Sequence, residues 1–170
     1  REHHRLPLCA SLDQRPFKPV KKAFGPKMRI MVSGGAPLKR IYAKYYLSMG
    51  LPLIQGYGLS ETTGPITIAN YNKIKIGSIG KVLEGNEVKI HNINSDGIGE
   101  LCFKGINVMP GYFNNPQKND EVFDSEGFFH TGDLGRIDKD GEIFITGRIK
   151  NVIVLPSGKN VYPEELESYY

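Results

Sequence analysis

Residues 28–59 read MRIMVSGGAPLKRIYAKYYLSMGLPLIQGYGL, and their order decides the fold class. Met28 to Val32 is a short apolar run of the kind that forms a buried strand. It stops at Ser33-Gly34-Gly35-Ala36-Pro37, a turn with little side-chain bulk. Leu38 to Met49 then reads as a helix, with Leu38, Ile41, Tyr45 and Met49 on one face, and Gly50 ends it. Pro52 to Gln55 is a second short strand, and Gly56 opens another small-residue loop. Strand, glycine loop, helix, strand, glycine loop is the order of an α/β sheet. In such sheets ligands sit at the carboxyl ends of the strands, where both loops lie.

From about residue 76 the pattern changes to short strands alternating with turns. Glu87 to His91 alternates, Asn94-Ser95-Asp96-Gly97 turns the chain, and Gly99 to Lys104 is a strand. Asn115 to Val122 reads as a short helix starting near Pro116, and Gly127 to Gly132 as strand or loop. Arg136-Ile137 leads into the turn Asp138-Lys139-Asp140-Gly141, and Glu142 to Thr146 completes a hairpin. This half is expected to form a small antiparallel sheet or barrel. A second hairpin pairs Asn151 to Leu155 with Asn160 to Tyr162 across Pro156-Ser157-Gly158-Lys159. A helix then starts at Pro163, with Glu164, Glu165 and Glu167 at the positive end of its dipole.

Working outward, 39% hydrophobic and 24% charged residues over a length of 170 make an ordinary globular mixture, neither disordered nor fibrous. No stretch approaches the length of an apolar membrane span, and Pro7 breaks the short apolar run near the N-terminus. Cys9 and Cys102 are too few for a disulfide framework and lack metal-ligand spacing, so a cytoplasmic protein is expected. Residues 1–50 carry eleven Lys/Arg against two Asp/Glu, a net +9, whereas residues 51–170 are net −5. The early cations are scattered among prolines without the interleaved aromatics of a single-strand groove, so nucleic acid is not an expected partner. There is no G-x-x-x-x-G-K-[ST] loop, no G-x-G-x-x-G and no G-x-S-x-G elbow.

Two segments carry residues suited to chemistry. In Gln55-Gly56-Tyr57-Gly58-Leu59-Ser60-Glu61-Thr62-Thr63, the glycines flanking Tyr57 let backbone approach a flat ligand on which the ring stacks. Ser60 beside Glu61 pairs a hydroxyl with a carboxylate, a set suited to a phosphate oxygen and its Mg²⁺. Spacing alone serves a strand-to-loop junction with a buried tyrosine equally well. In His130-Thr131-Gly132-Asp133-Leu134, an Asp in a glycine-bounded turn can accept two hydrogen bonds from a ribose diol, although a turn-forming Asp is commoner. Arg148 after Gly147 is an obligate cation placed to pair with Asp133 or meet a phosphate.

Taken in order, these segments resemble the adenylate-forming superfamily of acyl-CoA synthetases, luciferases and peptide-synthetase adenylation domains. The residues that carry the resemblance begin with Ser33-Gly34-Gly35-Ala36-Pro37-Leu38 and Gly56 through Thr62. They continue with Gly99-Glu100-Leu101 through Lys104-Gly105 to Gly111-Tyr112, then Thr131-Gly132-Asp133-Leu134. Gly147-Arg148-Ile149-Lys150 and Gly158-Lys159-Asn160-Val161-Tyr162-Pro163-Glu164-Glu165-Leu166-Glu167 complete them. Within that superfamily GYGLSET and GKNVYPEELE are most similar to bacterial long-chain fatty-acid CoA ligases.

The resemblance implies ATP, Mg²⁺, a fatty acid and coenzyme A as reactants and helpers. Gly35 and Ala36 would line adenine, and Tyr57, after Gly56, would stack on it. Ser60 would contact the α-phosphate, Glu61 would hold Mg²⁺, and Asp133 would bind the ribose with Arg148 beside it. Lys150 would be the pivot between domains, and Gly158 would meet the CoA arm. Ser60 stands where threonine is usual, and Asn151 where many relatives carry an acid. The implied architecture is α/β plus β: an irregular lead-in over 1–20, the end of an α/β subdomain over 21–72 and a small β-barrel subdomain over 73–147. A hinge and the first hairpin of a C-terminal α+β domain follow over 148–170. The family's phosphate loop and C-terminal lysine are not in this sequence, so a slice of a longer chain, inert alone, is expected. Peripheral contact with the inner face of a membrane fits a fatty-acid substrate.

Overall fold

The computed structural model describes residues 17–25, 27–156 and 160–167. The first element is a helix, α1 (Lys18–Phe24), where an irregular lead-in was expected to reach residue 20. Proline in the first turn explains the difference: its missing N–H lies among donors that have no intrahelical partner in any helix.

β1 (Met31–Ser33), α2 (Arg40–Ser48) and β2 (Leu53–Leu59) form the expected unit, with β1 and β2 parallel and Val32 opposite Ile54. The buried face of α2 is Ala43 and Leu47; Ile41 and Tyr45, expected inward, are exposed. Residues four apart on a helix share a face, so the small Ala43 and Leu47 sit together against the sheet while the bulkier stripe turns away.

Two further strands were not expected. β3 (Gly64–Ile68) and β4 (Lys81–Val82) extend the first sheet antiparallel, in the order β1-β2-β3-β4. The register slips between Tyr57 and Gly58, opposite Pro65, a residue with no N–H to give the ladder. Ile66 and Thr67 are nonetheless fully buried.

The second sheet is the antiparallel series β5 (Asn86–His91), β6 (Gly99–Gly105), β7 (Phe129–Ile137) and β8 (Ile143–Arg148), paired in chain order. It stays open: each strand pairs with its sequence neighbour, and the described strands do not close into the expected barrel. α3 (Pro116–Val122) lies between β6 and β7, its N-terminus capped by the Asn115 side chain. The sheets meet where Ile79 N–H donates to Ile143 O and Ile143 N–H to Gly80 O, both at 2.9 Å. Ile66 and Ile79 from one side join Leu101, Phe103 and Ile143 from the other in one core. Burying side chains of that size contributes roughly 1.5–3 kcal/mol each, which makes this seam the main source of cohesion.

β9 (Ile153–Val154) and β10 (Asn160–Val161) form the expected antiparallel hairpin, and α4 (Pro163–Glu167) the expected helix. Buried Tyr162 anchors this tail, its hydroxyl accepting from Asn94 Nδ2 at 3.1 Å. Gly158 lies outside the described residues. Among those described, no helix is long and apolar enough to cross a membrane.

Candidate functional site

The chain leaves β2 at Leu59 and enters a one-turn 3-10 segment, Ser60–Thr62. Thr62 fixes this turn: fully buried, its hydroxyl accepts from Leu59 N–H at 2.8 Å and lies 2.7 Å from Gly64 O as donor. With that pin in place, Ser60 is presented at the surface and Glu61 toward a cleft. Glu61 is held at both ends. Its carbonyl accepts from Met109 N–H, and its Oε1 accepts from the Tyr112 hydroxyl, each at 2.8 Å. Tyr112 is itself clamped by α3, because Asn119 Oδ1 accepts from its N–H and Asn119 Nδ2 donates to its carbonyl. The hydrogen bond to Glu61 raises the Tyr112 pKa above the ordinary tyrosine value.

Asp133 comes from β7, at a β-bulge. Glu100 pairs with Leu134 and Cys102 with His130, so Leu101 alone stands opposite Thr131, Gly132 and Asp133. Asp133 is 3% exposed, and both of its oxygens are engaged. Tyr57 Oη donates to Oδ2 at 2.6 Å, and Arg148 Nε to Oδ1 at 2.7 Å. The pairing of Asp133 with Arg148 read from the sequence is therefore present, set by cross-strand register between β7 and β8. Burial, followed by the charge of Asp133, pushes the Tyr57 hydroxyl well above the tyrosine range. Its ring lies 6.0 Å from that of Phe103.

Glu61, Tyr112, Glu100, His130, Thr131, Gly132 and Arg148 line one cleft of about 480 Å³. The structure thus brings the 59–62 turn, the 130–132 turn and Arg148 together. Gly35, at φ 79°, and Ala36 are exposed in the loop after β1, outside that cleft. The neighbouring Gly34 packs against the Gly56 carbonyl, and Gly56, expected to open a loop after Gln55, instead continues β2 paired with Ile68. Gly58 has a structural duty that spacing did not reveal: an added Cβ would lie 1.9 Å from Gly64 O. Lys150 is exposed in a short turn, Ile149–Asn151, directly after β8.

Three contributors were missed as participants: Thr62, Tyr112 and Glu100. Tyr112 and Glu100 lay inside quoted motifs, but their partners are 51 and 30 or more residues away in sequence. Thr62 looked like one more small polar loop residue.

A cleft between the end of a mixed sheet, which brings Glu61, and an antiparallel sheet, which brings Glu100 and Arg148, defines an α/β ligand-binding class. The match to the AMP-binding enzyme family over residues 5–113 makes the assignment: the chain belongs to that family. It is 40% identical over 167 residues to the chicken long-chain-fatty-acid–CoA ligase ACSBG2, covering 97% of this chain and 22% of that protein. It is 43% identical over 158 residues to the Mycobacterium bovis long-chain-fatty-acid–CoA ligase FadD15, covering 93% of this chain and 25% of that protein. The chain therefore spans about a quarter of the length of these curated relatives. Among solved structures it resembles Bacillus subtilis O-succinylbenzoate coenzyme A synthetase in complex with the acyl-adenylate intermediate OSB-AMP. That match has a TM-score of 0.78 at 32% identity, over 91% of this chain and 34% of that one. The same enzyme with ATP and magnesium ion gives 0.74 at 34% identity, over 82% of this chain and 30% of that one.

Proposed function

We propose that this chain is the nucleotide-binding middle of an ATP-dependent ligase that activates a long-chain fatty acid as acyl-AMP and transfers it to coenzyme A. One observation carries the reading: Glu61, Arg148 and the turn that leads to Asp133 converge on a single cleft. The 40–43% identity to fatty-acid ligases, against 32–34% to the succinylbenzoate enzyme, favours a fatty acid as the acid activated.

In the first half-reaction the fatty-acid carboxylate attacks the α-phosphorus of ATP and pyrophosphate leaves. In the second, the thiol of coenzyme A attacks the acyl carbon, AMP leaves, and the thiol proton is released. Both pass through states with concentrated negative charge, which fixed donors and cations stabilise best. Ser60 supplies a hydroxyl for the α-phosphate. Glu61 is a hard oxygen donor already oriented by Tyr112, and such a donor fits Mg²⁺. Bound there, the ion neutralises phosphate charge. Gly35, Ala36 and Gly56 lend backbone to adenine, and Tyr57 lends its ring. Asp133 takes the ribose hydroxyls, with Arg148 alongside. These remote contacts position the reacting phosphorus. Lys150 is the pivot about which the second half-reaction is set up, and Gly158 belongs to the CoA-side loop. The reading places the parent in the cytoplasm, with peripheral contact at a membrane where its substrate resides.

The test is Glu61→Ala in the full-length parent, followed by ATP–pyrophosphate exchange. Exchange is expected to fall by at least about a hundredfold, the scale of losing a charge-stabilising group. A variant that exchanges at near the parent rate overturns the assignment.

A further inference from the structure

Glu100 is a carboxylate, half-buried on β6, to which the proposed function gives no task. Its two oxygens are divided between two points of one segment. Oε2 and His130 Nδ1 share a hydrogen bond at 2.7 Å, and Oε1 accepts from Gly132 N–H at 2.8 Å. These partners bracket the start of the β7 bulge. A bulge leaves backbone groups without ladder partners, and an unpaired N–H at such a place is destabilising if nothing replaces water. Here Glu100 supplies the missing acceptor.

The rest of the turn hangs on the same neighbourhood. Thr131 Oγ1 donates to Leu101 O at 2.7 Å, and Asp133 N–H donates back to Thr131 Oγ1 at 3.0 Å. Gly132 has φ 73°, a conformation that leaves the turn easily deformed unless it is tied. Three consecutive residues, 130 to 132, are therefore fastened to Glu100 and Leu101 immediately before Asp133.

Glu100, Cys102 and His130 also bring donor atoms within 4.8 Å of one another, as a cation site does. One feature favours a hydrogen-bonded unit instead: Oε2 and Nδ1 stand at hydrogen-bond separation.

We propose that Glu100 is a positioning residue: by clamping His130 and Gly132 it aims Asp133, and so sets how well the site distinguishes a ribose diol from a sugar without hydroxyls. This rests on Asp133 being the ribose ligand. The test uses the full-length parent and compares kcat/KM for ATP with that for 2′,3′-dideoxy-ATP in pyrophosphate exchange. Both nucleotides carry the same reacting phosphorus, so a merely destabilised enzyme loses both together and keeps the ratio.

The ratio is expected to fall about tenfold in Glu100→Ala, the scale of losing a charged hydrogen bond, and by less than about threefold in Glu100→Gln. Glutamine keeps the length and an oxygen for Gly132 N–H. Should Glu100→Ala not fold, Glu100→Asp makes the same comparison, since it keeps the charge but is one methylene too short to reach both partners. Asp133→Ala separates the two readings. If it collapses the ratio while the Glu100 variants leave it within about twofold, the positioning role is overturned and the ribose reading stands. If Asp133→Ala keeps the ratio, the ribose reading fails and takes this proposal with it.

Discussion

Tyr57 donates its hydroxyl to the buried carboxylate of Asp133, a bond that joins residues 76 apart in the chain. That bond has a consequence for pH. Burial and the Asp133 charge raise the Tyr57 pKa above its ordinary value, so the unfolded chain gives up this proton first. Stability from this group is complete below about pH 10, the unfolded tyrosine value, and is lost progressively as pH rises beyond it. Urea unfolding of the parent across that range should show a falling midpoint, and Tyr57→Phe should flatten the fall. Cys102 offers a second reading of the same physics. A fully buried thiol pushed up to about 12 is almost entirely protonated at neutral pH. Cys102 should therefore resist a thiol reagent in the folded parent and label only after denaturant is added, with mass spectrometry locating the adduct.

Among the elements, β1, α2 and the hairpins of the second sheet followed from apolar runs and turn residues, because each is a local pattern. β3 did not. Gly64 and Pro65 are turn residues in isolation, and only the pairing with β2 makes them a strand. The inward face of α2 was misread for a related reason: both of its faces are apolar, and the sheet selects Ala43 and Leu47. The β2–β3 contact makes a sharp prediction. Gly58→Ala sets a methyl 1.9 Å from Gly64 O, and the nearest atoms are all backbone of Gly64 and Pro65, with no flexible side chain to move. It should cost about 3 kcal/mol or more in urea unfolding, the upper range of overpacking. Gly97→Ala, at positive φ but with open space around its Cβ, should cost only about 1 kcal/mol. Equal losses from the two would refute the steric account.

Among the described residues of the molecule, much apolar surface is exposed. Val32 is 58% exposed on a strand at the edge of its sheet, and Tyr42 and Tyr45 stand out from α2. Exposed apolar side chains beside an unpaired strand edge promote association. The 170-residue polypeptide in isolation should self-associate in light scattering, and Val32→Lys should reduce this. A clearly monomeric polypeptide would contradict that view. At the opposite end, Lys150 sits in a three-residue turn between β8 and the terminal hairpin. If that turn is a pivot, Lys150→Pro fixes its φ and should slow acyl transfer to coenzyme A in the parent far more than pyrophosphate exchange. Equal slowing of both would argue against a hinge. The cleft itself could not be read from sequence, since it is assembled from β2, β6, β7, β8 and α3.

If Asp133 takes a ribose diol, as proposed, the diol meets oxygens that are already bonded and would share them with a phenol and a guanidinium or displace these, so its net affinity is a small difference between two well-bonded states. Neither partner is a bystander. Tyr57 lies on the strand that feeds the Glu61 turn, and Arg148 is the last residue of β8, next to the turn that holds Lys150. Occupancy of that carboxylate would thereby be felt in two directions at once, toward the turn that carries Glu61 and toward the turn that carries Lys150.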